Sequence, residues 1–156
     1  GEILTKGMNV MDGYYNNPEA SNTVLAPDGW LHTGDLGVLD PDGYLYIKGR
    51  SKSLILGPSG QNIYPEEIED LLNAQPYIAE SLVIEREGKL VALVYPDAEA
   101  MKQNKISRET LLKIIHETRK QINQQLPAYS QIARIEIHDE EFEKTPKRSI
   151  KRFLYQ

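Results

Sequence analysis

Apolar and polar positions follow two different patterns along this chain, and the change falls near Ser53. Before it, short strand-like runs are punctuated by turn residues. Glu2–Lys6 and the following MNVMDGYY (Met8–Tyr15) read as strands, ended by Asn16-Asn17-Pro18. Pro18-Glu19-Ala20-Ser21 opens a short helix, because proline is tolerated at a first helical position. Asp28-Gly29 reads as a turn. Leu36–Leu39 and Tyr44–Ile47 flank Asp40-Pro41-Asp42-Gly43, which predicts a hairpin since Asp-Gly accommodates positive φ. Roughly fifty residues of strand and turn with few large apolar side chains do not bury a core alone. This part is therefore expected to form one edge of a larger sheet or barrel.

After Ser53 the helical period enters. Leu54-Ile55-Leu56 is a short strand, and Pro65 starts a helix with Glu66 and Glu67 in its first turn, where carboxylates meet the positive end of the macrodipole. Ile68, Leu71 and Leu72 give that helix an apolar stripe. Glu80–Ile84 and Leu90–Tyr95 are strands around the charged turn Glu85-Arg86-Glu87-Gly88-Lys89. Ser107 caps a long helix whose apolar face runs Leu111, Ile115, Ile122 and Leu126 until Pro127 stops it. Ile132–Ile137 alternates like a final strand. The order β-α-β-β-α-β predicts a small two-layer α/β (α+β) domain able to fold by itself.

Composition narrows the function classes. The chain has 156 residues, 40% hydrophobic and 26% charged, which is globular composition. A net charge of -5 argues against general nucleic-acid binding, which needs a basic face. The segment Lys144–Phe153 is locally basic, through Lys144, Lys147, Arg148, Lys151 and Arg152, and reads as a solvated tail. There is no cysteine, so disulfides, thiolate metal sites and a cysteine nucleophile are excluded. No apolar run approaches the ~20 residues of a membrane span, so no transmembrane segment is expected. His116 and His138 lack metal-ligand spacing. His32 is expected to pack or face solvent, and Asp139-Glu140-Glu141 to be a solvated charge run.

Four motifs, taken in order, carry more chemistry than composition does: GEILTKG…GYYNNPEAS, GWLHTGDLG, GYLYIKGRSK and SGQNIYPEEIE. With this spacing the chain resembles the adenylate-forming superfamily of acyl-CoA synthetases, luciferases and adenylation domains of nonribosomal peptide synthetases, from Gly1 to about Arg152. The wording KSLILGPSGQNIYPEEIE and the ending TPKRSIKRFLY resemble long-chain fatty acid–CoA ligases within it.

The resemblance implies ATP and CoA as co-substrates, Mg2+ arriving with ATP, and a carboxylic acid activated to an acyl-adenylate and then transferred to CoA. It divides the chain into the β-rich end of a large AMP-binding domain (1–49), a hinge (50–52) and a small C-terminal lid (53–156). The opening GEILTKG, without an initiator Met, fits a segment of something longer, whose missing N-terminal domain would be a partner. The chain lacks the family's Ser/Thr/Gly-rich phosphate loop and an acyl pocket, so alone it is expected to be inactive. A cytoplasmic location, or a peripheral one at a membrane, follows from the same resemblance.

Asp35, the aspartate of TGD, is implied to accept hydrogen bonds from the ribose hydroxyls of ATP, a task suited to an acceptor-only carboxylate. The bland reading is a turn aspartate bonding its own backbone. Arg50, in the GR motif, is implied to contact the nucleotide with its rigid fork of donors, the alternative being a surface ion pair. Lys52 occupies the hinge position about which the lid turns, or is merely an exposed loop lysine. Gly60 lies in a loop without the phosphate-cradle pattern and is implied to let the CoA thiol approach the backbone, or simply to form a turn.

The family's catalytic lysine is missing from its usual place, where Ser149 stands. That lysine stabilises charge on the carboxylate and α-phosphate. Lys147 or Lys151 is left to supply it, with Lys151 favoured because two residues along an extended segment return to the same face. Two rivals remain: an adenylation domain that loads a carrier protein, and a non-catalytic binding module with the lid fold.

Overall fold

A computed structural model describes all 156 residues, which divide into two compact units, Gly1–Lys52 and Ser53–Gln156. In the first unit, β1 (Glu2–Thr5), α1 (Pro18–Val24), β2 (Leu31–Leu39) and β3 (Leu45–Arg50) form an antiparallel sheet in the order β1-β2-β3, with α1 outside it. The sheet is open, and no barrel closes. None of the buried apolar side chains comes from residues 1–52, as the pattern of short strands implied.

The Asp40–Gly43 hairpin forms, with flanking strands longer than the apolar runs predicted. Asp40 Oδ1 accepts from the N–H of Asp42 (3.0 Å) and of Tyr44 (2.8 Å). The strand expected over Met8–Tyr15 does not form. Its donors go elsewhere: Val10 N–H to Gly7 O, and Tyr14 N–H to the Ser21 hydroxyl of α1. Asn17 caps α1 through Ala20 N–H at 3.0 Å, and its own N–H closes a turn onto Tyr14 O.

The second unit begins with β4 (Ile55–Leu56) paired to β5 (Asn62–Ile63) as a two-stranded ribbon. Then come α2 (Pro65–Asn73), β6 (Ile78–Arg86), β7 (Lys89–Pro96), α3 (Ala98–Gln103), α4 (Arg108–Gln125) and β8 (Ile132–Ile137). The main sheet has the order β6-β7-β8, antiparallel between β6 and β7 and parallel between β7 and β8, so α3 and α4 form the crossover that parallel strands require. The β-α-β-β-α-β order thus holds, with β5 and α3 as additions. Its first strand pairs within its own ribbon rather than in the main sheet.

Period-2 alternation sends β6 and β7 side chains to two buried faces. Val83, Leu90, Ala92 and Val94 pack with Ile68 and Leu72 of α2 and Leu111, Ile115 and Ile122 of α4. Leu82, Ile84, Val91 and Leu93 pack on the other side against Phe142, with Tyr95, Ile150 and Tyr155 around them. The chain after β8 is therefore a cover for the back of the sheet, not a solvated tail.

Helix ends follow local chemistry. Ser107 Oγ accepts from Thr110 N–H at 3.1 Å to start α4, and the residue before Pro127 is extended, which ends it. Asn123 then bonds both the N–H (2.8 Å) and C=O (2.9 Å) of Ile132, fixing where β8 begins.

Candidate functional site

In the first unit, Asp35 and Arg50 are register partners across β2 and β3, which places their side chains on one face. Arg50 Nη1 donates to Asp35 Oδ1 at 2.6 Å, the Arg50 side chain 62% and the Asp35 side chain 31% exposed. The surface ion pair foreseen as the bland role of Arg50 exists, and its partner is the other predicted nucleotide ligand. A cleft of about 570 Å³ opens beside them, lined among others by Tyr14, Thr23, Leu31, Thr33, Arg50 and Lys52. Lys52 sits exposed in a one-turn 3-10 helix, Ser51–Ser53.

Asp35 lies within strand β2 rather than in a turn, and this stretch is held from β1, which the motif alone did not reveal. Glu2 Oε1 accepts from Gly34 N–H at 3.1 Å, and Glu2 Oε2 lies 2.9 Å from His32 Nδ1. The His32 hydrogen bond is the main reason the Glu2 carboxyl sits below its usual range. Thr33 Oγ1 donates to Ile3 O (2.7 Å) and accepts from Asp35 N–H (3.1 Å). Gly34 has φ of +72°, a left-handed turn that glycine adopts without strain. His32 is thus exposed, as one of the two expectations had it, and partners Glu2 from the surface.

In the second unit, Gly60 closes the β4–β5 turn, donating to Gly57 O at 2.9 Å with φ of +79°. A Cβ there would meet no atom within 4 Å, so the residue is both a turn former and open to an approaching group. Lys147 and Ser149 lie on another turn of the same unit. Lys144 and Ile150 form a bridge, Thr145 N–H donates to Ser149 O (2.8 Å), and Arg148 N–H donates to Thr145 O (2.8 Å). Pro146–Ser149 are exposed.

Lys151 does not continue an extended segment. Its ψ is 77°, Arg152 N–H turns back to Ile150 O at 3.0 Å, and its Nζ is 3.1 Å from Glu143 Oε2. The same-face argument for Lys151 therefore lacks its premise. His138 stacks on Phe142 with ring centroids 4.8 Å apart. Asp139 is exposed, as expected of a charge run, but is held by a two-pronged Arg108 contact at 2.5 and 3.1 Å.

The charged residue that the sequence hid is Glu69. It lies on the buried face of α2, only 8% exposed, with Oε1 accepting from Val83 N–H at 2.6 Å and Oε2 paired to Arg152 Nη2. Burial pushes its carboxyl up from 4.5 to about 7; the Arg152 charge and the Val83 N–H recover only part of that rise, and the neighbouring Glu66 charge adds to it. The folded state then binds this proton more tightly than the unfolded chain does. Stability from this group is full below about pH 4.5 and is lost as pH rises through about 7. The chain is expected to be ~1 kcal/mol more stable at pH 6 than at pH 8. Urea midpoints at the two pH values measure this, and Glu69→Gln is expected to remove the difference.

A family model described as AMP-binding enzyme C-terminal domain matches residues 52–155. The chain is 50% identical over 98 residues to an indoleacetate–CoA ligase of Aromatoleum aromaticum, covering 60% of this chain and 19% of that protein. It is 41% identical over 117 residues to a 2-succinylbenzoate–CoA ligase of Bacillus cereus, covering 75% of this chain and 24% of that protein. Among solved structures, o-succinylbenzoate CoA synthetase of Bacillus subtilis, in complex with the acyl-adenylate intermediate, superposes with a TM-score of 0.74 at 31% identity; the match covers 100% of this chain and 30% of the synthetase. The matches thus span 19% and 24% of the length of these two curated relatives. No helix is long and apolar enough to cross a membrane.

Proposed function

Since the chain belongs to the AMP-binding enzyme C-terminal domain family, we propose that it is the C-terminal part of an ATP-dependent acid–CoA ligase. In the first half-reaction a carboxylate oxygen attacks the α-phosphate of ATP, giving acyl-adenylate and pyrophosphate. In the second, the CoA thiol attacks the acyl carbon, loses its proton, and AMP leaves with the acyl C–O bond's electrons. Magnesium enters as part of the substrate, MgATP.

The observation that carries this reading is that Arg50 lines the cleft together with Lys52, with Asp35 as its ion-pair and register partner across β2 and β3. Ribose hydroxyls donate to Asp35, and Arg50 turns its free donors to ribose or phosphate oxygens. Residues 1–49 then belong to the nucleotide-holding domain, 50–52 are the hinge, and 53–156 are the lid. Gly60 admits the thiol past its backbone in the second step. Lys147 supplies the positive charge of the first step: it is exposed on its turn, whereas Lys151 is engaged by Glu143.

The acid is proposed to carry an aryl ring, as the names of the two relatives suggest, while the motifs favoured a long-chain fatty acid. Exchange of pyrophosphate into ATP with indoleacetate, 2-succinylbenzoate and palmitate ranks these classes in the full-length protein. Absence of exchange with every acid would instead favour a non-catalytic module. Transfer to CoA rather than to a holo-carrier protein separates a ligase from a carrier-loading domain. Lys52→Pro is expected to change pyrophosphate exchange less than threefold and to slow thioester formation at least tenfold, because it stiffens the hinge needed only between the steps. Equal losses in both steps would rule out the hinge role.

A further inference from the structure

In the order β6-β7-β8, strand β6 has an outer edge with no strand beside it, and an edge presents unpaired N–H and C=O groups. At Val83 both groups are taken by side chains. The N–H donates to Glu69 Oε1 at 2.6 Å, and the C=O accepts from Arg152 Nη1 at 3.2 Å. The remaining Glu69 oxygen and Arg152 Nη2 meet each other, so one carboxylate and one guanidinium close a ring around a single residue of the strand. Glu66 Oε1 adds a more distant contact to Arg152 at 3.7 Å.

This ring lies at the foot of the turn bearing Lys147 and Ser149. Arg152 follows two residues after Ile150, the residue that closes the bridge with Lys144. The other foot is tied to the same strand, since Lys144 Nζ is 2.7 Å from Glu80 Oε1. Between the two feet the side chains of Pro146–Ser149 are exposed, so the turn's placement on the domain is set where it is anchored. The Arg152 side chain is 19% exposed, which makes this anchor a largely desolvated one.

We infer that Glu69 and Arg152 form a latch that fixes the Lys144–Ile150 turn to the free edge of β6, making Arg152 a positioning residue for the adenylation step. The positioning role rests on the function proposed above; the latch itself does not. Arg152 acts through the turn and touches no reacting atom. A planar fork is needed because two acceptors, Val83 O and Glu69 Oε2, must be met at once, which a lysine ammonium on a single stem does poorly.

The test uses the full-length protein and the acid giving the wild type its highest pyrophosphate exchange among indoleacetate, 2-succinylbenzoate and palmitate. Arg152→Ala is expected to raise amide hydrogen exchange across residues 143–155 at least tenfold, with β7 and α4 still protected. It is expected to lower kcat for pyrophosphate exchange at least tenfold at unchanged KM for ATP, with thioester formation from supplied acyl-adenylate altered less than threefold. Arg152→Lys keeps a charge beside Glu69 and guards against misfolding of the alanine variant; it is expected to raise exchange of the same segment at least threefold. Wild-type protection of residues 143–155 in these variants would overturn the latch, whatever the activity. Increased amide exchange with equal losses, or none, in the two half-reactions would overturn the positioning role. A wild type that exchanges pyrophosphate with none of the three acids would overturn the adenylation reading and the positioning role with it, and the amide-exchange result would still decide the latch.

Discussion

Lys147→Ala is expected to reduce acid-dependent pyrophosphate exchange of the full-length protein by about 10²–10³-fold, the cost of removing one preorganised charge-stabilising group, about 3–4 kcal/mol. The reacting carboxylate and the α-phosphate are both anionic, so the first step brings like charges together and needs a cation beside them. Ser149 is neutral and short, and Lys151 is held by Glu143 at 3.1 Å. Lys147 lies in the same exposed turn as Ser149, two residues earlier. Thioester formation from supplied acyl-adenylate, which does not need that charge, is expected to change less than threefold. Ser149→Lys in the Lys147→Ala background is expected to restore exchange to within tenfold of the wild type, by returning the charge to the family's usual place. Lys151→Ala is expected to cost less than threefold. Full exchange in both alanine variants would remove both lysines from the mechanism.

Phe142→Ala is expected to destabilise the second unit by about 3–5 kcal/mol, in the range for truncating a buried aromatic side chain. Phe142 is 2% exposed and caps the back-face cluster of Leu82, Ile84, Val91 and Leu93. Its ring also meets His138 and Tyr155, the latter edge-on with centroids 5.2 Å apart. Tyr155 in turn accepts from Glu143 N–H at 2.8 Å, so loss of the ring loosens a whole segment rather than one contact. The shift in urea midpoint at unchanged slope measures the effect. A change under about 1 kcal/mol would mean that the back face is covered by something other than the chain after β8.

Much of this architecture was legible because it is local. The stripe Ile68 and Leu72, the Ser107 cap, the stop at Pro127 and the Asp40–Gly43 turn each depend on residues a few positions apart. The Asp97 cap of α3, through Ala100 N–H at 2.9 Å, was also a readable signal, but six helical residues give periodicity little to work with. The failure at Met8–Tyr15 is instructive. Apolar residues there suit a strand, yet strands form only where a partner strand takes the N–H groups, and a local turn and the Ser21 hydroxyl took them first.

The candidate site divides along the same line. Motif wording singled out Asp35, Arg50, Lys52 and Gly60, and the register of β2 and β3 then made the first two neighbours. Glu2 escaped notice because its partners His32 and Gly34 lie some thirty residues on, across a strand pairing. Glu69 looked like one more acid of a helix rich in them. Only its position on the buried face distinguishes it, and its partner Arg152 comes 83 residues later.

The sequence by itself determined the Asp40–Gly43 turn, the start of α2 at Pro65, the Ser107 and Pro127 limits of α4 and which side chains form the apolar stripes, because spacing and turn chemistry act over a few residues. The tertiary structure alone decided that the chain after β8 covers the back of the sheet, that Glu69 and Arg152 occupy the open edge at Val83, and that Lys151 is already engaged. Those outcomes depend on which distant groups meet once water is excluded, and no short-range pattern encodes them.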